Sequence, residues 1–127
     1  MTDASIWLAV ASGGAIGALL RGLIYRWFIA RSGPGELGLG RATLLVNLAG
    51  SFLLGVLLAV LNQLATTEPM RVFWLTGFCG SLTTFSAFCA DAIRMAGTRP
   101  RGPLIQYLVA HIVLGLVLFT VGYSVAT

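Results

Sequence analysis

Apolar residues along this chain gather into four long blocks separated by short polar stretches. The first runs from Ile6 to about Tyr25, with Arg21 and Arg26 at its end. The second, Ala42 to Leu61, has no charge. The third, Val72 to Ala90, is also uncharged and is closed by Asp91 and Arg94, and the fourth extends from Leu104 to about Val125. Each block approaches the ~20 residues that a helix needs to cross about 30 Å of hydrocarbon. With their flanks, the predicted spans are 6–26, 42–62, 72–94 and 104–125. The connections read as loops: Arg31 to Gly40 is rich in turn formers, Thr66 to Pro69 is polar, and Gly97 to Pro103 contains two prolines. The pattern predicts an all-α chain, a single transmembrane domain over residues 1–127, with no room for a β-barrel or a domain outside the membrane.

Composition sharpens this. Hydrophobic residues make up 57% of the chain and charged residues 9%, against roughly 25% charged in a soluble domain. All eight cations are Arg, against four acids, for a net charge of +4. No basic cluster is interleaved with aromatics, which argues against nucleic acid, and the charges stand at block ends, where lipid headgroups lie. Ala9-Val10-Ala11 has the form of a cleavage site, but the stretch before it lacks a basic region and is too short for a signal peptide, so the first block is expected to stay. Cys79 and Cys89, on one helix, would lie about 15 Å apart along its axis. They cannot bridge each other, and with a single His they make no metal set. Packing is the expected role of both.

Sixteen glycines are many for this length. Gly13, Gly14 and Gly17 stand in the first block, Gly50 and Gly55 in the second, Gly115 and Gly122 in the fourth. Lipid provides no hydrophobic drive for helix association, so close backbone approach through small residues is how such helices pack. These faces predict packing within the chain and against another subunit.

Polar groups inside a span are costly and are therefore functional candidates. In the second block Thr43, Asn47, Gly50 and Ser51 share one helical face, which offers an amide and two hydroxyls. An interhelical hydrogen-bond clamp would account for Asn47 equally well. In the third, Gly77, Gly80, Ser81, Thr83 and Thr84 crowd into two turns. Poor helix formers at that density predict a broken third helix, tolerated at that depth only when buried in protein or lining a cavity. Unwound carbonyls suit Na⁺ or K⁺; a kink satisfied by hydroxyls is the alternative. Ser81, Thr84, Phe85 and Phe88 are spaced i, i+3, i+4, i+7, which predicts one face of two hydroxyls and two rings. A phenyl ring has a positive edge, able to contact an anion. Tyr107, His111 and Gly115 form a second stripe in the fourth block, with a neutral, hydrogen-bonding His expected.

Together these residues resemble the Fluc (CrcB) family of fluoride channels, over essentially the whole chain. The resemblance rests on Gly13-Gly-Ala-Ile-Gly17 followed by Arg21, on Asn47-Leu-Ala-Gly50, and above all on Gly77-Phe-Cys-Gly-Ser-Leu-Thr-Thr-Phe-Ser-Ala-Phe88. It implies an antiparallel dimer of four-helix subunits with two fluoride pores, in a prokaryotic plasma or inner membrane. It further implies a structural Na⁺ at the dimer centre, held by the carbonyls of Gly80 and Thr83. The family's pore phenylalanines fall on Phe85 and Phe88, its pore asparagine on Asn47, its vestibular threonine on Thr43 and its first-helix arginine on Arg21. Ser81, Thr84, Tyr107 and His111 complete the expected fluoride-binding set. Asp91 replaces the Glu of many members, and Gly115 removes a hydroxyl from the fourth-helix track. In the family, fluoride leaves the cell passively, down its gradient, and the resemblance implies resistance to fluoride and no enzymatic activity.

Two rivals remain. A small multidrug-type, proton-coupled exporter needs a carboxylate inside the bundle, whereas Glu36 and Glu68 fall in predicted loops and Asp91 near a span end. A non-conducting assembly subunit would use the glycines but not the polar stripes. Orientation adds a tension: Arg26, Arg31, Arg41, Arg94, Arg99 and Arg101 lie on one side and Arg71 alone on the other. Arg in short loops favours the cytoplasm, so equal insertion in both directions should give a balanced count. An antiparallel homodimer is favoured by the resemblance; a heterodimer with an oppositely oriented paralogue is the alternative.

Overall fold

The structure, a computed structural model, describes residues 3–33, 35–98 and 100–127. Among these, the chain is all helix and turn. The first span is α1 (Asp3–Ser32) and the second is α2 (Glu36–Gln63). The third is assembled from α3 (Glu68–Arg71), a π-helical stretch over Val72–Cys79, α4 (Gly80–Leu82) and α5 (Phe85–Thr98). The fourth consists of α6 (Arg101–Val109), a shorter π-helical stretch over Ala110–Leu114, and α7 (Gly115–Val125). Four stretches, Ala4–Ser32, Gly38–Gln63, Glu68–Thr98 and Arg101–Val125, are long and apolar enough to cross a membrane.

The helices outlast the apolar blocks. The glycine-rich segment expected as a loop is helical from Glu36, and the turn is made at Gly33, the one described residue with positive φ (75°). A helix satisfies its backbone without help from side chains, which matters more near lipid than the entropy that glycine loses. At the next turn Thr67 precedes α3, and Pro69 sits in the first helical turn, where its missing N–H costs nothing. Arg99, one of the six arginines counted on one side, lies outside the described residues.

Among the described residues few apolar side chains are buried: Ala42, Val46, Ala59, Leu61, Cys79, Leu82 and, least deeply, Tyr107. Large apolar residues such as Trp7, Leu19, Ile93 and Leu116 are exposed, which in a bilayer is their favourable position. Backbone contact takes the place of a core. A Cβ at Gly13 would strike the Phe73 carbonyl, and one at Gly77 would come within 2.8 Å of the Val10 carbonyl. These two glycines lock α1 against the first π-helical stretch. Gly55 and Gly122 do the same between α2 and α7, each facing a carbonyl of the opposite helix, of Phe119 and Phe52 respectively. The expected role of small residues in packing within the chain is met here, at both pairs of spans. Cys79 and Cys89 are free thiols.

Candidate functional site

Helix α4 ends at Leu82, and Thr83 is extended (φ −79°, ψ 158°). Thr84 belongs to no helix, and α5 starts at Phe85. The amides and hydroxyls of this short segment each have a partner. The Thr83 amide and hydroxyl both donate to the Cys79 carbonyl, at 3.1 and 3.0 Å. The Thr84 amide donates to Oδ1 of Asn47 (2.7 Å), and Nδ2 of Asn47 donates back to the Thr84 carbonyl (3.2 Å). The Thr84 hydroxyl accepts from the Ala87 amide (3.2 Å) and so caps the start of α5. Asn47 is thus a two-bond clamp that replaces the lost helical hydrogen bonds. Its amide has two N–H groups; one is used here, and the second has no partner among the described residues.

Around this clamp the surface is concave. One hollow of about 310 Å³ is lined by Asn47, Gly50, Ser51, Gly80, Thr83 and Phe85, among others. It continues through a hollow bounded by Asn47, Phe85, Phe88, His111 and Ile112. Beyond that, Ser51, Leu54, His111, Gly115 and Phe119 bound a third. Shared lining residues make the three into one open groove along α2, α5 and the fourth span. Phe85 projects at its edge, 77% exposed. Its ring centroid lies 5.7 Å from that of Phe88, which stacks on Tyr107 at 5.8 Å and lies 4.7 Å from the His111 ring. Nδ1 of His111 is 3.0 Å from the Tyr107 carbonyl. A carbonyl can only accept, so Nδ1 carries the hydrogen, and Nε2, buried with no hydrogen-bond partner, is a bare acceptor in the neutral ring. His111 shapes the groove without giving it a donor.

Two expectations from helical spacing change. Ser81 does not join Thr84, Phe85 and Phe88, because the interruption at Thr83 and Thr84 breaks the period between them. Its hydroxyl donates to the Gly77 carbonyl (2.7 Å) and faces Gly17 on α1, away from the groove. Thr43 shares a helix face with Asn47 but is fully buried, one turn beyond the groove.

There Thr43 enters a cluster that the sequence did not assemble. Its hydroxyl is 2.6 Å from Oδ2 of Asp91 and 2.6 Å from the Tyr25 hydroxyl, with the Leu39 carbonyl at 3.0 Å. Tyr107 donates to the same Asp91 oxygen at 3.2 Å, and Arg94 pairs with the other carboxylate oxygen at 3.4 Å. A hydroxyl has one hydrogen, and a carboxylate is the stronger acceptor. Thr43 therefore donates to Asp91, and Tyr25 donates to Thr43. Asp91, expected near a span end, is 5% exposed and lies inside the bundle. The signal available in the sequence was its position three residues after Phe88, which puts both on one face of α5.

The model of the CrcB-like protein, Camphor Resistance (CrcB) family matches residues 8–123. The chain belongs to this family. Among its relatives is a protein of Rhizobium meliloti named fluoride-specific ion channel FluC, 37% identical over 118 residues, which are 92% of each chain. A FluC of Saccharophagus degradans is 40% identical over 116 residues, 91% of this chain and 84% of that one. FluC 2 of Moorella thermoacetica is 40% identical over 121 residues, 94% and 95% of the two chains.

In this CrcB-like chain the donor chemistry fits the sodium ion that the resemblance implies. The Thr84 amide, which an unbroken helix would direct to the Gly80 carbonyl, goes to Asn47 instead. Gly80 is exposed, and a Cβ built there would touch nothing. Carbonyls are suitable ligands for a hard cation, but two from one chain fall short of a full shell. Arg21 lies elsewhere: with Tyr25, Thr84 and Ser86 it lines a separate recess of about 350 Å³. It has no hydrogen bond or ion pair among the described residues.

Proposed function

We propose that this chain is one subunit of a fluoride channel, which lets fluoride leave the cell passively and so lowers its cytoplasmic level. The observation that carries the reading is the open groove, in a chain whose relatives over nearly its whole length are named fluoride-specific channels. Fluoride is small and strongly hydrated, so any path must replace its water. The groove offers the unused N–H of Asn47, the Ser51 hydroxyl and the rings of Phe85 and Phe88, whose edges are positive. It holds no Arg, so an anion would be desolvated without being trapped.

One chain leaves the groove open, and we infer that a second, antiparallel copy closes it in a prokaryotic plasma or inner membrane. Gly80 and Thr83 of each subunit would meet at the pair's axis, and their carbonyls would together hold Na⁺, whose charge fixes the two interruptions against each other. The homodimer is the favoured form; an oppositely oriented paralogue would serve the same geometry.

Fluoride efflux from liposomes containing the purified protein, with chloride as control, tests the function. Rapid electrogenic fluoride loss without chloride loss is expected, and its absence from an assembled protein would end the proposal. The buried Asp91 revives one point in favour of a proton-coupled exporter, since that mechanism needs a carboxylate in the bundle. Here the carboxylate is occupied by two hydroxyls and Arg94. Efflux that requires an imposed proton gradient, or uptake of cationic dyes, would favour the exporter. The sodium site is tested by anomalous scattering from a heavier substituting cation, expected on the pair axis and rejected by a peak elsewhere or none at saturation.

A further inference from the structure

On the outer side of the bundle, away from the groove, α1 and α2 leave a second concavity at the arginine-rich end. Leu23, Ile24, Trp27 and Leu45 line a largely apolar hollow of about 320 Å³. Leu23, Trp27 and Leu45 are 52%, 48% and 44% exposed, so the furrow opens outward rather than into the bundle. Two exposed arginines continue the helix stripes that form its walls. Arg31 follows Trp27 by one turn on α1, and its guanidinium lies over the indole, 4.4 Å from the ring centroid. Arg41 precedes Leu45 by one turn on α2. From residue 26 to residue 41 there are three arginines against one acid, Glu36.

We infer that this furrow is a binding site for one anionic phospholipid, with an acyl chain along Leu23, Trp27 and Leu45 and the phosphate between Arg31 and Arg41. The occupant follows from charge and shape. A zwitterionic lipid would meet two cations with no net charge to balance them, whereas a phosphatidylglycerol-type headgroup supplies one. Guanidinium matches phosphate in a planar, two-pronged geometry. Seating on the Trp27 face restricts Arg31, so less freedom is lost when it binds. An apolar furrow beside two guanidinium groups gives one ligand both of the contacts it needs: hydrocarbon against the lining and charge at the rim. The inference rests on the chain spanning a membrane and is independent of the ion that it passes.

Native mass spectrometry of the detergent-purified protein, titrated with phosphatidylglycerol or phosphatidylcholine of identical chains, tests this directly. The first phosphatidylglycerol per chain should bind at roughly tenfold lower concentration than the first phosphatidylcholine. Arg31→Gln with Arg41→Gln should erase that preference, and Trp27→Leu, which keeps the furrow apolar but unseats Arg31, should weaken it several-fold. Leu45→Trp, which fills the furrow and keeps both charges, should weaken the first adduct of either lipid. Equal binding of both lipids by the wild type would overturn the site. So would an arginine double variant that keeps the preference, or a Leu45→Trp variant that binds like the wild type, since that result means attraction by charge alone.

Discussion

Asn47 does two things with one side chain, and they can be separated by experiment. Its Oδ1 and one N–H hold both sides of the Thr84 peptide, and the second N–H is available to the groove. Asn47→Ala leaves the Thr84 amide without its partner at about 1–3 kcal/mol, so both thermal stability and fluoride efflux should fall. Asn47→Asp restores the acceptor for the amide but places acceptors where the anion needs a donor. It should recover part of the melting temperature and none of the efflux, measured by thermal denaturation in detergent beside liposome flux. Cys79→Ala and Cys89→Ala should leave efflux near wild type. Phe85→Ile and Phe88→Ile remove the positive ring edges and should each slow efflux markedly, with dimer yield much less affected. Unchanged flux in both would mean that the rings only pack. The sequence made Asn47, Phe85 and Phe88 visible, because polar or aromatic residues beside glycines stand out against an apolar background. It hid Asp91, since a charge at the end of an apolar block looks the same whether it meets water or two buried hydroxyls.

Helices and their approximate places were legible because hydrocarbon thickness fixes span length and a lipid-facing backbone has few alternatives to helix. What local pattern could not give was phase. Helical spacing put Ser81 on the Phe85 face, but two residues outside the helix rotate everything after them relative to everything before, and Ser81 turns to α1. Nor does a glycine show in the sequence which neighbour it faces. Gly13 and Gly14 are adjacent and look interchangeable, yet a Cβ at Gly13 meets the Phe73 carbonyl and one at Gly14 meets nothing within 4 Å. Gly13→Ala should therefore cost about 1–3 kcal/mol through overpacking against backbone that cannot yield. Gly14→Ala should match or slightly exceed wild-type stability, because alanine is the better helix former. Thermal melts of the two variants in one detergent check this; equal losses would mean that α1 packs in another register.

At the scale of the molecule, the arginine imbalance and the proposed antiparallel pair make competing demands. Single cysteines placed at Thr98 and, separately, at Thr67 in a background lacking Cys79 and Cys89 would report on opposite faces. Labelling of each position from both sides of the membrane is expected for a homodimer of dual topology. Labelling of each from one side only, with no efflux from the protein purified alone, would establish the heterodimer. The open groove also carries a consequence for how such a molecule is made. A newly inserted subunit holds the spare amide N–H of Asn47 and the Ser51 hydroxyl in a groove open to acyl chains until it meets another. Encounter is second order in subunits, while removal by quality-control proteases is first order. At low expression, halving the rate of synthesis should then lower the amount of finished assembly by more than half.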